Sequence, residues 1–448
     1  MTTTNVKRII WIVVAHGRGT CRAANNRTAQ SFSYDIAEEP FMKKILQNRR
    51  YLTLVSYALI LFLGSNIAHA AEYYVATTGN NSAPGTAAKP FRSIAKGLSV
   101  LKAGDQLYIR AGTYDETINS NSQTIPTGTS WNDAPLISAY AGETVTLNGS
   151  INIAHSYVQY VEFARLTLTA AYMNLSVGGF QAPHHIKFTN MEIKDGIENC
   201  VQLGKLSHHV WFTGGRIHDC AYNSTSTPQG YPMYIGGSDH LIENVEVYGS
   251  NRYCIHIYES TTPKPERVTV RNSIVHHCGL KTPSTAAIVL TGGDSNAAYN
   301  NVLYSNSGHG IVNMSGTNAK IYNNTVYGGL QTGIYVQASA KNADVRNNIA
   351  YGNATTQILD QGSGTTLSNN MTNDPHFVNA SARNFSLQPT SPAIDAGTAL
   401  SFVTMDIKRS SRPQGGSYDL GAYEGLGLGS GSGSQPSALA PPRNVTVR

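Results

Sequence analysis

Between Asp195 and Glu259 the sequence collects side chains that could move protons: Asp195, Glu198, Gln202, Asp219, Tyr234, Arg252, His256, Tyr258 and Glu259. A histidine with an arginine and two tyrosines can supply what β-elimination next to a carboxylate requires. It needs a base, a cation for the enolate that forms, and an acid for the leaving oxygen. His256 is the candidate base, Arg252 the charge partner, and Tyr234 or Tyr258 the proton donor. The carboxylates of Asp195, Glu198, Asp219 and Glu259 offer a second chemistry, because two acids about 5 to 9.5 Å apart can hydrolyse a glycosidic bond. Either chemistry needs residues distant in the chain to be neighbours in space.

A repeat supplies that neighbourhood. NMEIKDG at Asn190 recurs as NVEVYGS at Asn244, NSIVHHC at Asn272, NNVLYSN at Asn300, NNTVYGG at Asn323 and NNIAYGN at Asn347, with a shifted copy, GGRIHDC, at Gly214. The fourth residues of the copies are 24, 30, 28, 28, 23 and 24 positions apart. A period in the twenties with variable loops marks a solenoid. CVQLG, CIHIYE, AIVLTG, GIVNM and GIYVQ lie between copies and alternate apolar positions as strands do. The reading is all-β: a right-handed parallel β-helix, a single-stranded solenoid with about three short strands per coil, stacked at roughly 4.8 Å.

Aligned coils produce columns. Asn190, Asn244, Asn272, Asn300, Asn323 and Asn347 form one, read as an inward ladder of turn residues in the left-handed region. Lys194, His218, Tyr248, His276, Tyr304, Tyr327 and Tyr351 form another, read as packing of flat rings. If Val201, Met233, Ile255, Ile288, Ile311 and Ile334 point inward, then Gln202, Tyr234, His256, Val289, Val312 and Tyr335 point out, followed two residues later by Gly204, Gly236, Tyr258, Thr291, Met314 and Gln337. Successive outward residues make a groove for an extended chain. Gln202, Glu259, Asp219, Asp195 and Glu198 are its substrate-binding candidates, and an acidic polysaccharide is the substrate expected for it.

Cys200, Cys220, Cys254 and Cys278 follow the same alignment. Each interval, Cys200 to Cys220 and Cys254 to Cys278, is one step to the next coil, so these two disulfides are expected. Histidines recur at one turn: His184 and His185, His208 and His209, then His240. They are read as strand-capping residues, and no metal ligands are assigned.

The net charge of +6 comes from the first 70 residues, which hold nine Lys or Arg and three Asp or Glu; the remaining 378 carry 24 of each sign. That balance argues against a nucleic-acid partner. Lys43, Lys44, Arg49 and Arg50, the apolar run Tyr51 to Leu63 and the A-x-A of Ala68 to Ala70 read as a signal peptide over residues 42–70, too short to span a bilayer. Residues 1–41 are then a spurious upstream extension, and the product is expected to be secreted, cell-surface or periplasmic, and a monomer. Residues 71–116 are read as the N-terminal cap and first strands, with a short capping helix presenting Phe91, Ile94, Leu98 and Leu101. Coils occupy 117–372, a closing segment 373–424, and a Gly/Ser/Pro linker or tail 425–448. PPRNVTVR at the end resembles the opening of a fibronectin type III module.

The string YYVATTGNNSAPGTAAKPFRSIAKGLSVLKAGDQLYIRAGTYDE from Tyr73 resembles the start of secreted bacterial right-handed β-helix proteins that look like polysaccharide lyases, the pectin-lyase-like superfamily. DPHFVNASARNFSLQPTSPAIDAG and RPQGGSYDLGAYE look like the closing module of such proteins. The resemblance implies lyase activity on an acidic polysaccharide, with calcium as a possible cofactor. Such lyases usually employ a Lys or Arg base with calcium. The outward strand columns here hold no Lys, and no compact carboxylate cluster is visible. A glycoside hydrolase with paired carboxylates and a non-catalytic glycan-binding or adhesin-like surface protein are the alternatives.

Overall fold

The computed structural model describes residues 70–169, 175–178, 181–220, 230–282 and 284–425. The expected upstream extension, all but the last residue of the expected signal peptide and all but the first residue of the tail lie outside them. Strands of three or so residues are stacked in parallel, each pairing with its equivalent one coil away. One sheet of ten strands runs from Ile118–Asn119 through Val201–Leu203, Met233–Ile235, Ile255–Ile257 and Ala286–Leu290 to Ile358–Asp360. The other two faces of the coil are ribbons of one larger sheet, fused where the long strands His184–Lys194 and His208–His218 turn the corner without a break.

The alternation explains the register. Val201 pairs with Met233, Met233 with Ile255 and Ile255 with Ile288, and these inward residues are fully buried. On the opposite wall Phe163, Phe188 and Phe212 stack at 5.6 and 5.0 Å. Core side chains thus lie above their own kind from coil to coil, and burial of each stabilises its strand by about 1.5–3 kcal/mol.

The repeat asparagines do adopt the left-handed region, with φ of 51° at Asn190, 57° at Asn244 and 53° at Asn300. They do not point inward as expected. Asn190 and Asn244 are exposed, and the internal ladder belongs to the next residue. Asn301 Nδ2 donates to Asn324 Oδ1 at 3.0 Å, Asn324 Nδ2 to Asn348 Oδ1 at 3.0 Å, and Asn348 Nδ2 to Asn370 Oδ1 at 2.9 Å. The ring column stacks as expected: His218 on Tyr248 at 4.6 Å, Tyr248 on His276 and His276 on Tyr304 at 4.8 Å each.

Both expected disulfides are present, Cys200–Cys220 and Cys254–Cys278, each with a Cα separation of 5.6 Å. A short α-helix, Ile94–Leu98, starts at Ser93, whose side chain accepts from the Lys96 N–H, while Glu116 accepts from the N–H groups of Ile94 and Ala95. Phe91 and Leu101 are buried with it but lie outside the helix.

The segment after residue 372 packs along the flank of a ribbon. Phe377 and Phe385 pack with Tyr304 and Tyr327, covering Ile349 and Val302. The outward asparagines anchor it: Asn300 donates to Met405 O, Asn323 to Asp419 O, and Asn347 to Thr398 O. A fully buried Arg412–Glu424 pair locks its end.

Candidate functional site

The face of the ten-stranded sheet has the register expected for the outward column: Gln202 pairs with Tyr234, Tyr234 with His256, and His256 with Val289. Strand pairing sets Tyr234 beside His256, with ring centroids 5.5 Å apart. The Cys254–Cys278 disulfide fixes the residue just ahead of Ile255, and Arg252 and Tyr253 reach the site immediately before it.

Tyr253 and Tyr258 stack on His256 at 4.4 and 4.9 Å, with interplanar angles of 24° and 10°. Tyr231 closes a third side at 5.0 Å. His256 is left 8% exposed, and burial, reinforced by the Arg252 charge, holds its imidazole pKa down to about 3. Arg252 Nη1 donates to the Tyr231 hydroxyl at 3.3 Å. Among the described residues, Arg252 Nε and His256 Nδ1 are buried without a hydrogen-bond partner. Burial pushes the Tyr234 phenol up to about 12, with the Glu259 charge adding to the shift. Tyr234 therefore keeps its proton at neutral pH.

The other expected residues divide. Gln202 lies one coil below Tyr234 and its Oε1 accepts from Asn199 Nδ2 at 3.4 Å. Glu259 accepts from Ser260 and Thr261, and Lys264 Nζ donates to its carbonyl at 2.7 Å. Asp195 and Asp219 sit instead at equivalent left-handed turns after the long strands, with φ of 61° and 54°. His218 Nδ1 holds Asp219 Oδ2 at 2.8 Å. Glu198 is half-buried in the loop leading to Cys200. Val289 and Val312 do point out, but Ala286, Tyr253, Met314 and Tyr335 cover them, so the open face narrows above His256.

Sequence reasoning missed Tyr231 and Tyr253. Each stands two residues before an inward residue, Met233 or Ile255, and that offset is the signal that would have found them. A cleft of about 470 Å³ lined by Glu143, Arg165, Glu192 and Arg216 shares no residue with this cluster.

The family described as "Right handed beta helix region" matches residues 206–372. A second, described as a protein of unknown function (DUF1565), matches residues 77–126. The pectate lyase PEL9 of Emericella nidulans is 40% identical over 81 residues, 18% of this chain and 19% of that protein. The match therefore spans about a fifth of that relative's length. The crystal structure of pectate lyase Pel9A aligns with a TM-score of 0.59 at 16% identity, covering 80% of this chain and 98% of that one. An alginate lyase from Paenibacillus sp. str. FPU-7 gives a TM-score of 0.42 at 16% identity, over 63% and 95% of the two chains. Coil register, repeat match and the Pel9A alignment agree on the fold: the chain is a right-handed parallel β-helix.

Proposed function

We propose that this is an exported, polysaccharide-active β-helix protein that takes an acidic glycan on the ten-stranded face and cleaves it by β-elimination. The observation that carries this reading is the pair of unpartnered nitrogens, Arg252 Nε and His256 Nδ1, enclosed by four tyrosines. Buried polar groups left unpaired cost about 1–3 kcal/mol each. A uronate carboxylate bound at Arg252 would satisfy the guanidinium and offset the Arg252 charge, the lesser of the two causes, after burial, that weaken His256 as a base. His256 then takes the proton next to the carboxyl group, Arg252 holds the enolate, and Tyr234 gives its proton to the leaving oxygen. Tyr258 orients the base. Gln202 and Glu259 line the groove, while Asp195 and Asp219, at the turns after the long strands, take no part in the proposed steps. The two disulfides suit an oxidising compartment.

Calcium, implied by the resemblance, takes six to eight oxygen ligands. Among the described residues no three carboxylates converge, and the Glu259 and Asp219 carboxylates are held by separate partners. The residues do not fit a protein-held calcium ion, and the proposed steps run through side chains.

Non-catalytic glycan binding is the second reading, favoured by the imidazole pKa of about 3, far from the value that suits a base at neutral pH. Incubation with pectin, alginate and glycosaminoglycans separates the two. Unsaturated uronate products are expected; tight retention of glycan with no product would decide for binding.

A further inference from the structure

The turn histidines are a separate cluster, and its geometry stands apart from the glycan groove. His184 and His208 begin the two long strands and pair with each other in register. Consecutive strand residues ordinarily point to opposite faces. Here the second histidine of each pair, His185 and His209, has φ of 54°, which turns both rings of a pair to the same side. The turn repeats at Tyr160, Asp239 and Arg267 in neighbouring coils, but only two coils carry imidazoles at both positions.

The rings are ordered in both directions. His184 stacks on His208 at 4.7 Å and His185 on His209 at 4.5 Å, with planes 14° and 6° apart. Within each pair the planes are 82° apart and the two Nδ1 atoms lie 2.8 Å from each other. One ring nitrogen from each of His185, His208 and His209 lies within 4.8 Å of the other two. Tyr160 packs on His185 at 4.5 Å, and Trp131 stands 6.3 Å away, so one side of the cluster is walled by aromatic rings. The nearby carboxylate of Asp239 is taken by Arg267 at 2.6 and 2.9 Å. His240 belongs to a different category: it is 1% exposed and its Nδ1 accepts from the Val210 N–H at 3.0 Å, so the capping role expected from the sequence holds there.

We propose that His185, His208 and His209 bind a borderline transition-metal ion such as Zn²⁺, with His184 close enough to join as a fourth imidazole. Nitrogen ligands sit about 2.0–2.1 Å from zinc, which puts neighbouring ligand atoms about 3.3 Å apart. Small side-chain rotations bring these nitrogens to that spacing from both the closer and the wider distances. An all-imidazole set selects zinc, copper or nickel over calcium or magnesium, which demand oxygen. Two of the ligands come from one coil and one from the adjacent coil, so the ion would tie the two together, as the Cys200–Cys220 disulfide does between the same two coils.

The test is calorimetric titration of ZnCl₂ into tag-free, chelator-stripped protein, with melting curves recorded in parallel. Uptake of about one equivalent and a raised melting temperature are expected. The His208→Gln and His209→Asn variants should weaken uptake at least about tenfold; Asn tolerates the left-handed turn at position 209. His155→Ala, outside the cluster, should bind as the wild type does. Absence of stoichiometric uptake and of a melting shift in the wild type would overturn the proposal without reference to any variant. Undiminished uptake in folded His208→Gln and His209→Asn, or CaCl₂ competing equally for the site, would do the same.

Discussion

Tyr258 lies face to face with His256, ring centroids 4.9 Å apart and planes 10° from parallel. Tyr253 occupies the other face at 4.4 Å. The imidazole is therefore fixed in orientation and can meet a ligand only along its edge. Such fixing suits a group that must point at one atom of a bound chain, and it also removes the freedom a surface histidine would have.

Replacing the proposed base should separate catalysis from folding. His256→Ala is expected to lower the rate of unsaturated-product formation by at least about a hundredfold, with an unchanged far-ultraviolet spectrum. Tyr234→Phe should lose a similar factor, since it removes the proposed acid. Tyr258→Phe should lose less, because the stacked ring survives. Full cleavage by a folded His256→Ala chain would remove His256 as the base.

Arg252 is expected to act on affinity for the acid group. Its Nε is unpartnered and its Nη1 is shared with Tyr231. Loss of a hydrogen bond to a charged group is worth about 1.5–3 kcal/mol, or roughly 10- to 150-fold. Arg252→Ala should therefore weaken binding of an acidic glycan by that factor and leave any binding of a neutral glycan unchanged. Equal weakening for both would mean that Arg252 only props the tyrosines.

Acid should destabilise the fold through two buried imidazoles. Burial holds His240 and His256 near pKa 3, against about 6.5 in the unfolded chain. The unfolded chain then takes up these protons first. Their contribution to stability is whole above about pH 6.5 and is lost as pH falls towards 3, at up to about 1.4 kcal/mol per pH unit for each imidazole. Urea unfolding at pH 7 and 4.5 should show a smaller pH difference in His256→Gln than in the wild type. Identical differences would show that His256 does not carry this linkage.

Much of this architecture is legible in the sequence, for identifiable reasons. The inward residues from Val201 to Ile334 can be aligned because alternation and a period in the twenties leave one register that buries them all. The disulfides follow from that register alone. The direction of the Asn190–Asn347 column does not. A left-handed residue breaks the alternation, so parity cannot say whether it faces in or out, and the ladder proved to be one residue later. Tyr231 and Tyr253 escaped because they lie in loops ahead of the strands. The burial of Val289 and Val312 escaped because Tyr253, Met314 and Tyr335, which cover them, come from loops and other coils. Convergence of four imidazoles depends on a backbone dihedral at His185 and His209 that histidine does not announce.

The ladder yields the sharpest test of coil stacking. Asn324 is fully buried; its Nδ2 donates to Ala298 O at 2.8 Å and to Asn348 Oδ1, and its Oδ1 accepts from Asn301 N at 3.1 Å and Asn301 Nδ2 at 3.0 Å. Asn324→Ala would strand groups in the coils on both sides of it. Each orphaned buried group costs about 1–3 kcal/mol, so a loss of roughly 3 kcal/mol is expected, near the effect of a large core truncation. Asn323 stands beside it in sequence but faces the closing segment, donating to Asp419 O. Asn323→Ala should therefore weaken the docking of residues 373–424, read as faster proteolysis of that segment, while the coils stay intact. If both variants lost stability equally and in one transition, the assignment of Asn324 to the coils and Asn323 to the flank would be wrong.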